Sequence, residues 1–210
     1  MSNVGLFYVG AVLIINGIML LGRITPRAAA PMNLFVGGMQ VVIPTILLTT
    51  ADGDPTVIAG ASGLYLFGFT YLWVGINAVT DWPPEGLGWF SLFVAVAALG
   101  YAAHTWGEGG RIFVVIWLSW SVLWLLFFLV LGLGRTELTQ FTGAVAVTEG
   151  VLTAAVPAGL TLAGLWSDSA VAALVAAVLG VGLLVVLWLL TRRPSPQAEA
   201  YKKSSLGAAT

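Results

Sequence analysis

Seven long apolar runs divide this chain, at approximately 4–21, 31–49, 58–79, 88–104, 112–133, 141–165 and 169–191. Each approaches or exceeds the ~20 residues that a helix needs to cross ~30 Å of hydrocarbon. The fourth is the shortest. None alternates polar and apolar residues with a period of two, which argues against a transmembrane β-barrel. Only 8% of the residues are charged, 59% are hydrophobic, and the mean hydropathy is +0.99. A soluble domain carries roughly 25% charged residues to wet its surface, so most of this chain's outer surface must face lipid. The expected architecture is an all-α integral membrane protein with seven transmembrane helices.

Short breaks separate the runs. Arg23-Ile24-Thr25-Pro26-Arg27, Asp52-Gly53-Asp54-Pro55 and Asp81-Trp82-Pro83-Pro84-Glu85 combine charge with proline, and Gly107–Arg111, Gly134–Glu137 and Ser167–Ser169 complete the set. Turns this short predict antiparallel neighbours. Seven cations (Arg23, Arg27, Arg135, Arg192, Arg193, Lys202 and Lys203) fall on one side, and Arg111 alone falls on the other. The positive-inside rule then puts the N-terminus outside and the C-terminus in the cytoplasm. Met1-Ser2-Asn3 lacks the basic n-region of a cleaved signal peptide. The tail at 192–210 is expected to be disordered.

Several chemistries are excluded early. With no cysteine and a single histidine, His104, the chain offers neither a disulfide nor a multi-histidine metal cluster. No basic stretch suggests nucleic acid, no nucleophile–base pair suggests an enzyme, and no cofactor is implied.

What remains are the residues that do not belong in lipid. Glu149 lies about eight residues into the sixth run, at ~12 Å depth for a rise of 1.5 Å per residue, and no Lys or Arg lies within any run. Intramembrane acids usually line a pathway; the alternative is a structural acid hydrogen-bonded to Thr148 or to a neighbouring helix. Trp117, Trp120 and Trp124 are spaced i, i+3, i+7 and share one helical face. The last two lie too deep for the interfacial belt in which Trp is normally found, and a buried indole N–H requires an acceptor. Two further stripes run Leu6, Val9, Leu13, Asn16 along the first span and Phe69, Trp73, Asn77 along the third. Ordinary helix packing also produces such stripes. Taken together, however, aromatic faces ending near polar groups, with one carboxylate opposite, suit a flat neutral solute with N–H donors at its edge. An ion would find no ring of charges or carbonyls. A faint repeat is also visible, in that Asn33-Leu34-Phe35-Val36-Gly37 echoes Ser91-Leu92-Phe93-Val94-Ala95.

These segments also resemble a known family. Phe7-Tyr8-Val9-Gly10 through Asn16-Gly17, Met32 through Gly38, Leu66 through Leu72, Trp89 through Ala95, Ile116 through Trp124, and Glu149 through Ala154 are similar to the AmiS/UreI family of amide and urea channels, in order over roughly residues 4–165. The resemblance implies a pore within each protomer, in a twisted bundle of two-helix repeats built from 1–165, with an added helix at 166–191 and assembly as a homohexamer around lipid. It implies pore residues Leu6, Val9, Leu13, Asn16, Phe69, Trp73, Trp117, Trp120, Leu123, Trp124 and Glu149. Two departures stand out: Trp73 where the urea channels often have Tyr, which removes a hydroxyl and narrows the site, and short outer loops without histidine (apart from His104 at a span end) together with a seventh span, which resemble the amide branch and put acid gating in doubt. The expected function is passive permeation of small neutral amides and urea. The alternatives are a proton-coupled transporter of short-chain amides in which Glu149 cycles a proton, and a non-transporting membrane scaffold.

Overall fold

The structure, a computed structural model, describes residues 2–191; the tail expected to be disordered lies outside them. Seven spans are present, and no β-strand occurs among the described residues. Helices α1 (Ser2–Leu20), α2 (Pro26–Thr49), α3 (Pro55–Thr80), α4 (Glu85–Gly107) and α5 (Arg111–Phe127) give the first five, α5 continuing through a π-helical turn at Phe128–Gly132. The sixth span is compound: α6 (Thr139–Glu149), a π-helical stretch (Gly150–Ala155) and α7 (Val156–Leu162). The seventh is α8 (Ala170–Thr191). The fourth span, short by sequence, is a full 23 residues.

Local chemistry sets the helix starts. Thr25 caps α2, its hydroxyl accepting from the Ala28 N–H at 3.3 Å, and Pro26 occupies the first helical position, where no N–H is needed. Asp54 and Pro55 do the same for α3, the carboxylate accepting from Thr56 and Val57. Asp81 ends α3 in the left-handed conformation (φ 58°) and pairs with Arg27 at 2.9 Å, tying the ends of α2 and α3 together in solvent.

The first six spans close into a ring, each packing on the next and the sixth returning to α1. Glycines let three of these pairs approach closely. A Cβ added at Gly37 of α2 would stand 3.1 Å from the Gly68 carbonyl of α3; at Gly88 of α4 it would collide with the backbone of Gly132, at the end of the fifth span. On α1, a Cβ at Gly10 or Gly17 would meet the carbonyls of Gly150 and Gly143 at 2.8 and 2.6 Å. The even spans thus grip the odd ones, glycine against glycine, as small residues do where helices gain no hydrophobic drive to associate in lipid. This is a threefold repetition of helix pairs. The sequence echo fits it: from Asn33 to Gly37 and from Ser91 to Ala95 burial follows one pattern, with Phe35 and Phe93 both pointing outward.

One polar tie crosses the ring interior. The carboxamides of Asn16 and Asn33 donate to each other reciprocally at 2.9 and 2.7 Å, and Asn33 also donates to the Ala29 carbonyl at 3.0 Å. Replacing Asn16 by Ala strands a buried amide, at a cost of about 1–3 kcal/mol. The thermal unfolding midpoint of the detergent-solubilised protein is expected to fall; an unchanged midpoint would mean that the pair contributes no net stability.

α8 stands outside the ring against α5 and α6. Ala173 is its one buried residue, and the helix is otherwise apolar on every side, as suits a helix bathed in lipid.

Candidate functional site

The centre of the ring is an aromatic waist. Phe67 of α3 lies edge-on to both Trp120 and Trp124, with ring centroids 4.9 and 5.2 Å away, and stacks on Trp117 at 5.9 Å. Trp117 in turn stacks on Tyr101 of α4 at 4.8 Å. Val9, Leu13 and Leu123 are fully buried in the same cluster, and Leu6 packs at its margin. Eight of the predicted residues are thereby gathered: Leu6, Val9, Leu13, Trp117, Trp120, Leu123 and Trp124 at the waist, and Glu149 beside it.

Each deep indole finds its acceptor in a threonine. Trp120 donates to Thr153 Oγ1 at 2.9 Å and Trp124 to Thr70 Oγ1 at 3.3 Å. The two threonines in turn donate to their own helices, Thr153 to the Glu149 carbonyl at 2.6 Å and Thr70 to the Leu66 carbonyl at 2.7 Å. These bonds fix the ring planes and also mark two cavities. Thr153 lines one of about 330 Å³ between α5, the sixth span and α8, and Thr70 another of about 390 Å³ among α1, α3, α4 and the end of the fifth span.

The first cavity holds the carboxylate. Glu149, Thr148 and Thr153 of the sixth span and Ser119 of α5 are its polar lining; Leu179 and Leu183 of α8 close one wall. Glu149 is only 6% exposed, and its Oε2 has no hydrogen-bond partner. Glu149 thus faces a cavity, and the added helix α8 forms part of its wall. Backbone geometry explains the placement. Pro157 lacks an N–H and crowds the carbonyl of Thr153, four residues earlier, and there the helix widens into a π turn in which Val156 N–H bonds to the Val151 carbonyl. Such turns recur at functional sites.

The second cavity opens toward the arginine-rich end, between Pro26, Asp81, Trp82 and Pro84, and narrows past Asn77 and Tyr71 to Thr70 and Asn16. Asn16 is one of the pore residues that the resemblance implies. It lines this cavity, but its oxygen already accepts from Asn33.

The third-span stripe needs correcting. Phe69 is 48% exposed on the outer surface, tilted against Tyr65, and Trp73 stacks on Phe90; neither lines a cavity. Phe67 and Tyr71 hold the inward positions instead. An i, i+4 stripe drifts by ~40° per step at 100° per residue, so Asn77 comes round to the cavity while Phe69 still faces outward. Sequence reasoning also missed Thr70 and Thr153. The available signal was the pair of deep indoles, which required hydroxyls or carbonyls at matching depth.

Comparison with known proteins identifies the family. The model of the AmiS/UreI family transporter matches residues 1–165. The chain belongs to the AmiS/UreI family. Among its relatives, an amidate substrates transporter protein of Mycolicibacterium smegmatis is 57% identical over the full length of both chains. The transporter protein AmiS2 of Rhodococcus erythropolis is 55% identical over 78% of this chain and 80% of its own. The crystal structure of the Helicobacter pylori urea channel, 35% identical, superposes with a TM-score of 0.71 over 80% of this chain and all of that one. AmiS/UreI membership makes this a multi-pass membrane protein of an amide and urea transporter family.

Proposed function

We propose that the chain is a passive channel for short-chain amides such as acetamide, and for urea, with no catalytic activity. The observation carrying this reading is the pairing of two mainly apolar cavities, each with a few polar groups, with an aromatic waist in which the Trp120 and Trp124 N–H groups are already satisfied. At Trp120 and Trp124 the waist therefore presents ring faces and edges, not free donors, to a solute crossing it. A planar amide slides between such faces, while its N–H groups are accepted by Glu149 on one side. Trp117, Trp120, Leu123 and Trp124, with Leu6, Val9 and Leu13 opposite, form the constriction. Reconstitution tests this directly: vesicles holding the protein should take up acetamide and urea far faster than empty vesicles, and glycerol only slowly.

The proton-coupled alternative shares the same carboxylate. Among the described residues no salt bridge reaches Glu149, and the arginines inside described spans, Arg27 and Arg111, stand at span ends, Arg27 paired with Asp81; this favours the passive reading. The distribution of cations supports a cytoplasmic C-terminus, and the family resemblance supports a homohexamer in the bacterial inner membrane, with membrane lipids as its surroundings. A C-terminal reporter active only in the cytoplasm and a native mass of six chains are the expected results; an external reporter or a monomeric mass would reject these two points separately.

A further inference from the structure

The cavity at the arginine-rich end contains polar groups that the waist does not use. Asn77 is the clearest. Both its Nδ2 and its Oδ1 are buried, and neither has a hydrogen-bond partner. Tyr71, 1% exposed, carries a hydroxyl that is likewise buried and unpartnered. Both residues line the same cavity of about 390 Å³. Several polar side chains of this depth are satisfied, Asn16 with Asn33, Ser91 with the Leu87 carbonyl and Thr70 with the Leu66 carbonyl; Gln40 and Thr142 are also buried without a partner, but neither lines this cavity. Burying a polar group without a partner is costly, and native folds rarely tolerate it without a reason.

A carboxamide offers one donor edge and one acceptor edge in a single plane. Its best complement is another group with C=O and N–H side by side and coplanar. Primary amides and urea have that arrangement; polyols do not.

We propose that Asn77 and Tyr71 form a second, selective amide-docking station in this vestibule, separate from Glu149. The solute's C=O accepts from Asn77 Nδ2, one of its N–H groups donates to Asn77 Oδ1, and the Tyr71 hydroxyl takes a further polar edge. A rotation of the Asn77 side chain brings its amide plane into the cavity. The solute then has two sites, held at Glu149 by its N–H groups alone and at Asn77 by both edges. Selection for planar amides is thereby applied at the vestibule before the aromatic rings are reached. The proposal rests on the amide-channel reading.

The experiment is the concentration dependence of initial acetamide flux into vesicles containing the full-length chain, with glycerol as the non-planar control. Asn77→Leu, close in volume but without either polar edge, is expected to raise the half-saturating acetamide concentration about fivefold to tenfold, the scale of two net hydrogen bonds. Tyr71→Phe, which removes one hydroxyl and no volume, is expected to raise it about twofold to threefold. Glycerol flux should not change in either. If Asn77→Leu does not fold, Asn77→Ser and Tyr71→Phe decide the matter. Wild-type half-saturation in the folded variants, equal losses for acetamide and glycerol, or a wild-type flux that stays linear with concentration would each overturn the docking station while leaving the channel intact. A wild-type protein that conducts no acetamide would instead remove the function on which the station rests.

Discussion

Glu149→Gln is expected to assemble as the wild type does and to lose at least about tenfold in acetamide flux. The substitution conserves volume, so the α5–α6–α8 cavity keeps its shape. It turns one of the two accepting edges of the carboxylate into a donor, and that donor opposes the N–H groups of an approaching amide. Exchanging an attraction for an opposed pair of donors costs more than one lost hydrogen bond, and ~1.4 kcal/mol already amounts to tenfold. The proton-coupled alternative expects a different signature, in which accumulation driven by a pH gradient disappears but downhill flux survives. A purely structural Glu149 expects near-normal flux with Gln and disrupted assembly with Ala. Measuring flux and oligomer integrity for both variants separates the three, and wild-type flux through an intact Glu149→Gln protein would take this residue out of the site.

The second large effect falls on selectivity. Trp124 is fully buried, packed against Phe67, and anchored to Thr70. Truncation to Ala leaves a cavity in the waist, typically costing 3–5 kcal/mol of stability for so large a side chain. It also removes the ring that a planar solute must pass. Trp120→Ala opens the waist from the Glu149 side and frees Thr153. In both variants the acetamide-to-glycerol flux ratio should collapse toward unity, by an order of magnitude or more, because the gap then admits solutes that are not flat. Variants that fold, assemble and keep wild-type discrimination would reassign these indoles to packing. Trp120→Phe and Trp124→Phe keep a ring but lose the N–H anchor, and they should retain most of the selectivity.

Much of this fold was legible because the lipid environment imposes its rules uniformly. Seven apolar runs became seven spans, and the displaced boundaries share one cause: Pro26 and Glu85 lower local hydropathy but sit in the first turn of α2 and α4, where proline and acid are welcome. The waist was legible on α5, since three tryptophans in one run define their own face. On α3 the phase was set from Phe69, Trp73 and Asn77, and only Asn77 reached the interior; in a helix so rich in aromatics, composition cannot tell Phe67 from Phe69. Asn16 was found as a polar anomaly, but its partner Asn33 lies on another helix, and no spacing within one segment reveals a reciprocal pair across two. The closure of the Glu149 cavity by α8 was equally out of reach, because that helix is apolar on every side and shows no face that announces where it docks.

The central claim is that amides cross passively, and equilibrium distribution tests it most directly. Proteoliposomes loaded at one pH are placed in buffer of another, between pH 5 and 8, and internal acetamide is followed to its plateau. Imidazole is the side chain that ordinarily titrates in this range; the chain's single histidine, His104, is exposed near the end of α4, and the described loops on that side, 50–54, 108–110 and 163–169, carry none. Passive permeation gives one initial rate at every external pH and a plateau at which internal and external acetamide are equal. Accumulation above the external concentration under an imposed pH gradient, abolished in Glu149→Gln, would contradict it.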